Sequence, residues 1–89
     1  MPEAHDVVIK VISQKGICHA GHKVGDEWVV SRGTPAGICL GAFHTLYPSL
    51  FTLIIGAQMW GADPDASVIA CPDSKNPVFF EMKRKPKAK

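Results

Sequence analysis

The 89-residue chain is 46% hydrophobic and 20% charged, with a formal net charge of +2. A chain of this length forms one domain around one core, and so many apolar residues at so low a net charge exclude intrinsic disorder. The most apolar stretch, Ile38 to Trp60, is interrupted by Gly41, His44, Pro48 and Gly56, whereas a membrane-spanning helix needs roughly 20 unbroken apolar residues, so a membrane protein is not expected.

Charge is unevenly placed. Residues 1–82 hold five basic against eight acidic residues, a net of −3, while Lys83, Arg84, Lys85, Lys87 and Lys89 supply the other five basic groups. This predicts one compact domain over 1–82 and a flexible basic tail over 83–89. A basic tail can meet phosphates, but no basic-aromatic stripe accompanies it, which argues against a nucleic-acid surface. Met1 to Asp6 is polar and lacks the basic start of a secretory leader. Three cysteines is an odd count, the pattern of reduced thiols in a cytoplasm.

In chain order, Val7 to Ile12 reads as a strand with Val7, Ile9 and Val11 on one face and Val8, Lys10 and Ile12 on the other. Gly16 to Asp26 holds three glycines and two histidines and reads as a structured loop. Glu27 to Ser31 is a second strand, and Arg32 to Gly37 a turn. Ile38 to Ala57 is helical, with a stripe of Leu40, Phe43, Leu46, Tyr47 and Leu50 at helical spacing. Pro48 either kinks this helix or opens a second one, and Gly56 ends it. After a loop over Gln58 to Asp65 come strands at Ser67 to Cys71 and Val78 to Lys83, joined by the turn Asp73 to Pro77. The order β-β-α-β-β predicts an α+β fold: an antiparallel sheet of about four strands with one broken helix packed on one face.

The turns also carry motifs: Cys18-His-Ala-Gly21-His22-Lys-Val-Gly25-Asp26, Pro35-Ala-Gly37-Ile-Cys39, Ala42-Phe43-His44 with Tyr47-Pro48, and Cys71-Pro72-Asp73 leading to Pro77-Val78 and Phe80-Glu81. In these the chain resembles an uncharacterised family of small prokaryotic proteins, over about Val7 to Lys83. His19 departs from that family, which often carries proline there. The resemblance implies a shared fold and draws attention to the cysteines, and it brings no activity with it.

Two chemistries suit these residues. Cys18, His22, Cys39, His44 and Cys71 are all of types that ligate zinc or iron, and Cys18 and His22 are four apart across a glycine-containing turn. No Cys-x-x-Cys pair is present, and Cys39 and His44 would be roughly 140° apart around a continuous helix. Alternatively, Cys39 at the start of the helix is a nucleophile favoured by the unpaired N–H groups and positive dipole there, with His44, or else His22 or His19, as its base. The plainer readings are a buried cysteine packing as a small hydrophobe and a helix-face histidine. Asp26, Glu27 and Asp73 read as turn carboxylates, and Trp28 and Trp60 as core-edge residues.

The functional expectation is a small cytoplasmic accessory or ligand-binding domain with a Cys/His-lined site. The alternative is a small cysteine- or metal-dependent enzyme acting on a small molecule. One short chain has little room for a deep pocket, so a homo-oligomer or a place in a larger complex is expected, with Met59-Trp60-Gly61 as an interface anchor.

Overall fold

Strict alternation in the first strand sets the sheet. The structure, a computed structural model, describes residues 5–18, 20–59, 61 and 63–85. His19, Trp60 and the tail beyond Lys85 lie outside the described residues, and with them the roles read for His19 and Trp60. Strands β1 (Val7–Gln14), β2 (Glu27–Val30), β3 (Ala66–Ala70) and β4 (Val78–Arg84) form one sheet in the order β2-β1-β4-β3. Every neighbouring pair is antiparallel. Helix α1 (Leu40–Ile54) lies between β2 and β3 in sequence and packs on one face. This is the α+β arrangement expected from the order of elements.

The core forms between that face and the helix. Val7, Ile9 and Val11 of β1 and Val78, Phe80 and Met82 of β4 are buried, as their alternation requires, while Ile12 on the other side is exposed. A register shift between Val11 and Ser13 leaves Ile12 as a bulge in the β1–β4 ladder. The sheet is closed at its centre by the pairing of β1 with β4.

Helix α1 runs through Pro48 as a single element, so Pro48 does not open a second helix. Proline removes one N–H and frees the carbonyl four residues earlier. Here both Pro48 and His44 are exposed, on a part of the helix that water reaches. Of the apolar face expected on the helix, Leu46, Leu50 and Leu53 are buried, with Ala42 beside them, whereas Leu40 and Tyr47 are exposed. Phe43, Tyr47, Phe51 and Ile54 form a second apolar stripe roughly 100° round the helix from the first.

The carboxyl end of α1 is closed as its glycine implies. Gly56 adopts φ +84°; its N–H donates to the Leu53 carbonyl at 3.2 Å and that of Ala57 to the Thr52 carbonyl at 3.1 Å, the paired bonds of a Schellman motif. The Ile54 carbonyl accepts from the His5 N–H at 2.9 Å. Arg84 then corrects the tail boundary. β4 continues through Lys83 and Arg84, and the Arg84 side chain is only 7% exposed. Its guanidinium donates to the Leu53 carbonyl at 3.1 Å, the Pro64 carbonyl at 2.8 Å and the Asp65 carboxylate at 2.8 Å. What reads in the sequence as the start of a basic tail is the clamp on the helix end.

Candidate functional site

The site grows from three turns that meet at the amino end of α1. The β1–β2 loop first continues the strand ladder: the Gly25 N–H donates to the Val11 carbonyl, and the Val11 N–H to the Asp26 carbonyl. The Gly21 N–H donates to the Cys18 carbonyl at 2.9 Å, with Gly21 at φ +80°, a conformation glycine adopts without steric cost. This turn buries His22 to 6% exposure. The imidazole meets Trp28 edge-on, ring centroids 5.0 Å apart, and Phe80 at 6.1 Å.

His22 is satisfied in that apolar setting by an unusual partner. Its Nε2 accepts the Cys39 backbone N–H at 3.0 Å. An imidazole nitrogen can accept only when unprotonated, so this bond assigns the neutral ring with its proton on Nδ1. Cys39 is the N-cap residue of α1 and offers no side-chain cap of its own, and the first turn holds no acidic residue. A distant histidine therefore caps a helix that its own sequence leaves uncapped.

Cys71 follows β3 and closes the β3–β4 turn. Its N–H donates to the Val78 carbonyl at 2.9 Å. Its sulfur accepts the Val78 N–H at 3.3 Å and lies 3.9 Å from the Asn76 carbonyl. Asp73 binds the turn's own backbone, accepting from the N–H groups of Lys75 and Asn76, as its place in the turn predicts. Asn76 joins this turn to the β1–β2 loop, its side-chain oxygen accepting the Ile17 N–H at 2.9 Å. Gly16 lies against that same amide, at φ +70°.

The outcome is convergence. Cys18, Cys39 and Cys71, all half-buried thiols, line one cavity of about 120 Å³ together with His22, Asn76 and Phe80. His44, read as a base and as a ligand, is exposed on α1 and is not among the lining residues. Nor do the five Cys and His residues form the zinc or iron set read from their types: among the described residues, no three His, Cys, Asp or Glu side chains form a group fit to hold a metal ion. The hydrogen bonds give a reason, since His22 Nε2 and the Cys71 sulfur already accept backbone N–H groups.

The neighbouring carboxylates are structural. Asp26 accepts the Lys23 N–H at 3.1 Å, and that bond, helped by the Lys23 ammonium at 3.5 Å, holds its carboxyl below the usual 3.8. Glu27 is exposed and reaches Lys10 across the strand pair at 4.0 Å. Trp28 packs against the core, as expected of a core-edge residue. Asn76 was not signalled as a site residue in the sequence. Its position in the turn Asp73 to Pro77 was the only cue, and turn chemistry alone does not say which other loop an amide will reach.

No family model, curated protein or solved structure matches the chain. Among the described residues, no helix is long and apolar enough to cross a membrane.

Proposed function

We propose that the chain is a small ligand-binding or accessory domain whose site is the cavity between Cys18, His22, Cys39 and Cys71. The observation that carries this reading is the convergence of three thiols, from three separate turns, on one cavity beside a buried histidine. Packing alone does not require three half-exposed sulfurs in one place. The cavity is smaller than the roughly 300 to 1,000 Å³ of ordinary ligand pockets, so it suits a small thiol-seeking molecule or the reactive end of a larger one. Free cysteines suit a reducing cytoplasm. The size of the chain favours a homo-oligomer or a place in a larger complex, and its turn motifs resemble those of an uncharacterised family of small prokaryotic proteins.

A second reading, a cysteine-dependent enzyme acting on a small molecule, draws on Cys39 alone. This residue stands at the N-cap position of α1 and lines the cavity, and a cysteine beside a helix amino end is a common place for a nucleophile.

One experiment addresses both. The native protein is treated with chloroacetamide fragments of matched intrinsic reactivity, and labelled cysteines are mapped by mass spectrometry. A binding site labels with a few fragments only, and urea abolishes that selectivity. Labelling that follows intrinsic reactivity in both states overturns the binding reading. The enzyme reading further requires Cys39 labelling to rise with pH through a midpoint well below the free-thiol value of about 8.5.

A further inference from the structure

A second concavity of the molecule is not lined by cysteines. It lies between the second apolar stripe of α1 and the turn that follows β2, and encloses about 390 Å³, within the range of ordinary small-molecule sites. Phe43, Tyr47 and Phe51 run along its helix wall, with successive ring centroids 6.3 and 6.0 Å apart. Tyr47 is 49% and Phe51 41% exposed. These side chains are large, apolar and adjacent, and the core does not cover them.

The turn that forms the other side of the groove is polar and positively charged: Ser31, Arg32 and Thr34 line it. Among the described residues Arg32 is the only charged one of the lining, and it has no carboxylate partner. Lys10, Lys23 and Arg84, by contrast, each have one. An apolar trough bordered by an arginine without a carboxylate partner is complementary to a molecule with an apolar body and one anionic head.

We propose that this groove binds a small apolar carboxylate, an aromatic or short aliphatic acid. Its hydrocarbon lies along Phe43, Tyr47 and Phe51, and its carboxylate pairs with Arg32 and accepts from Ser31 and Thr34. This site is separate from the cysteine cavity and does not depend on it. A second copy of the chain fits less well. A two-fold contact sets a patch against itself, and the one charge in this patch would then face its own copy with no anion to balance it.

The test uses three probes with one body and different heads: 4-phenylbutyrate, 4-phenylbutan-1-ol and 4-phenylbutylamine. Each is titrated into the full-length, isotope-labelled chain and followed by amide NMR. The acid is expected to shift the amides of residues 30–34 and 43–54 and to bind more tightly than the alcohol, with the amine weakest. Arg32→Gln is expected to weaken the acid about tenfold or more and to leave the alcohol within about twofold. Arg32 is exposed in a turn, and the spectrum outside the groove reports whether the variant keeps its fold. Arg32→Lys keeps the charge and is expected to retain part of the preference. Equal affinity for the three heads, shifts outside the groove, no binding at millimolar acid, or an unchanged acid affinity in Arg32→Gln each overturns the proposal. So does concentration-dependent self-association that Phe51→Glu abolishes, which would show that a second copy fills the groove.

Discussion

The two ends of α1 are held in opposite ways. At the carboxyl end, backbone, glycine and guanidinium together occupy the terminal carbonyls: Gly56 and Ala57 close the Schellman motif, His5 takes the Ile54 carbonyl, and Arg84 takes that of Leu53. At the amino end one imidazole accepts one N–H, with no side-chain cap from Cys39 and no acidic residue in the first turn. The closed end is built for stability, since satisfying the terminal carbonyls and placing a cation beside them each stabilise the helix. The open end is where the thiols gather. A helix end that exhausted its donors on its own caps would leave nothing to face a ligand.

Breaking the closed end should cost most. Arg84→Ala leaves the carbonyls of Leu53 and Pro64 and the Asp65 carboxylate without their shared donor. Asp65 is exposed and recovers water, so the expected loss is about 2 to 3 kcal/mol, read as a lowered denaturant midpoint at unchanged slope. Arg84→Lys sharpens the point: it keeps the charge but cannot reach three acceptors from one planar fork, so it should recover only part of the loss. A midpoint equal to that of the parent in Arg84→Ala would return Arg84 to the role of a tail residue.

The open end should cost less, and in two separable parts. His22→Ala removes both a buried ring and the acceptor for the Cys39 N–H, an expected loss of about 2 kcal/mol. His22→Phe keeps the ring against Trp28 and Phe80 and removes only the acceptor, an expected loss of about 1 kcal/mol. Equal losses in the two variants, measured by chemical denaturation, would mean that the hydrogen bond alone matters and the packing does not.

The smallest effect lies in acid. The Asp26 carboxyl is held below its usual value by the Lys23 N–H. A carboxyl whose folded value is depressed adds stability above its unfolded value of 3.8, and loses it as pH falls through the depressed one. Melting curves between about pH 5 and pH 2 should therefore fall less steeply for Asp26→Asn than for the parent. The same slope in both proteins would show that the turn does not depend on that charge.

The strands were legible because alternation is a local property. Val7, Ile9 and Val11 announce their face within five residues, and the sheet honours it. The helix face was legible only in part: Leu46, Leu50 and Leu53 are buried as their spacing implies, while Leu40 and Tyr47 are not. From Leu40 to Ile54 apolar residues occupy two stripes, and the buried one is marked by Ala42, a residue too small to stand out beside Phe43 and Tyr47. Arg84 was hidden by its neighbours, since a run of lysines masks a basic side chain that turns inward. The cysteine cavity depended on loops closing on each other. Cys18, Cys39 and Cys71 are far apart in the chain, and the Ile17–Asn76 bond that ties two of the loops together is a contact no local pattern announces.

The pairing of β1 with β4 bears on how the chain is made. Val7 finds its partner at Arg84 and Val11 at Phe80, so the middle of the sheet cannot zip until the last strand has left the ribosome. Until then β1 has only the short β2 beside it, and its apolar face awaits cover. Folding of this kind, led by contacts distant in sequence, is slow for the size of the protein and exposes sticky surface while it waits. The nascent chain is thus expected to lean on chaperones until β4 has emerged, and then to close its sheet in one cooperative step.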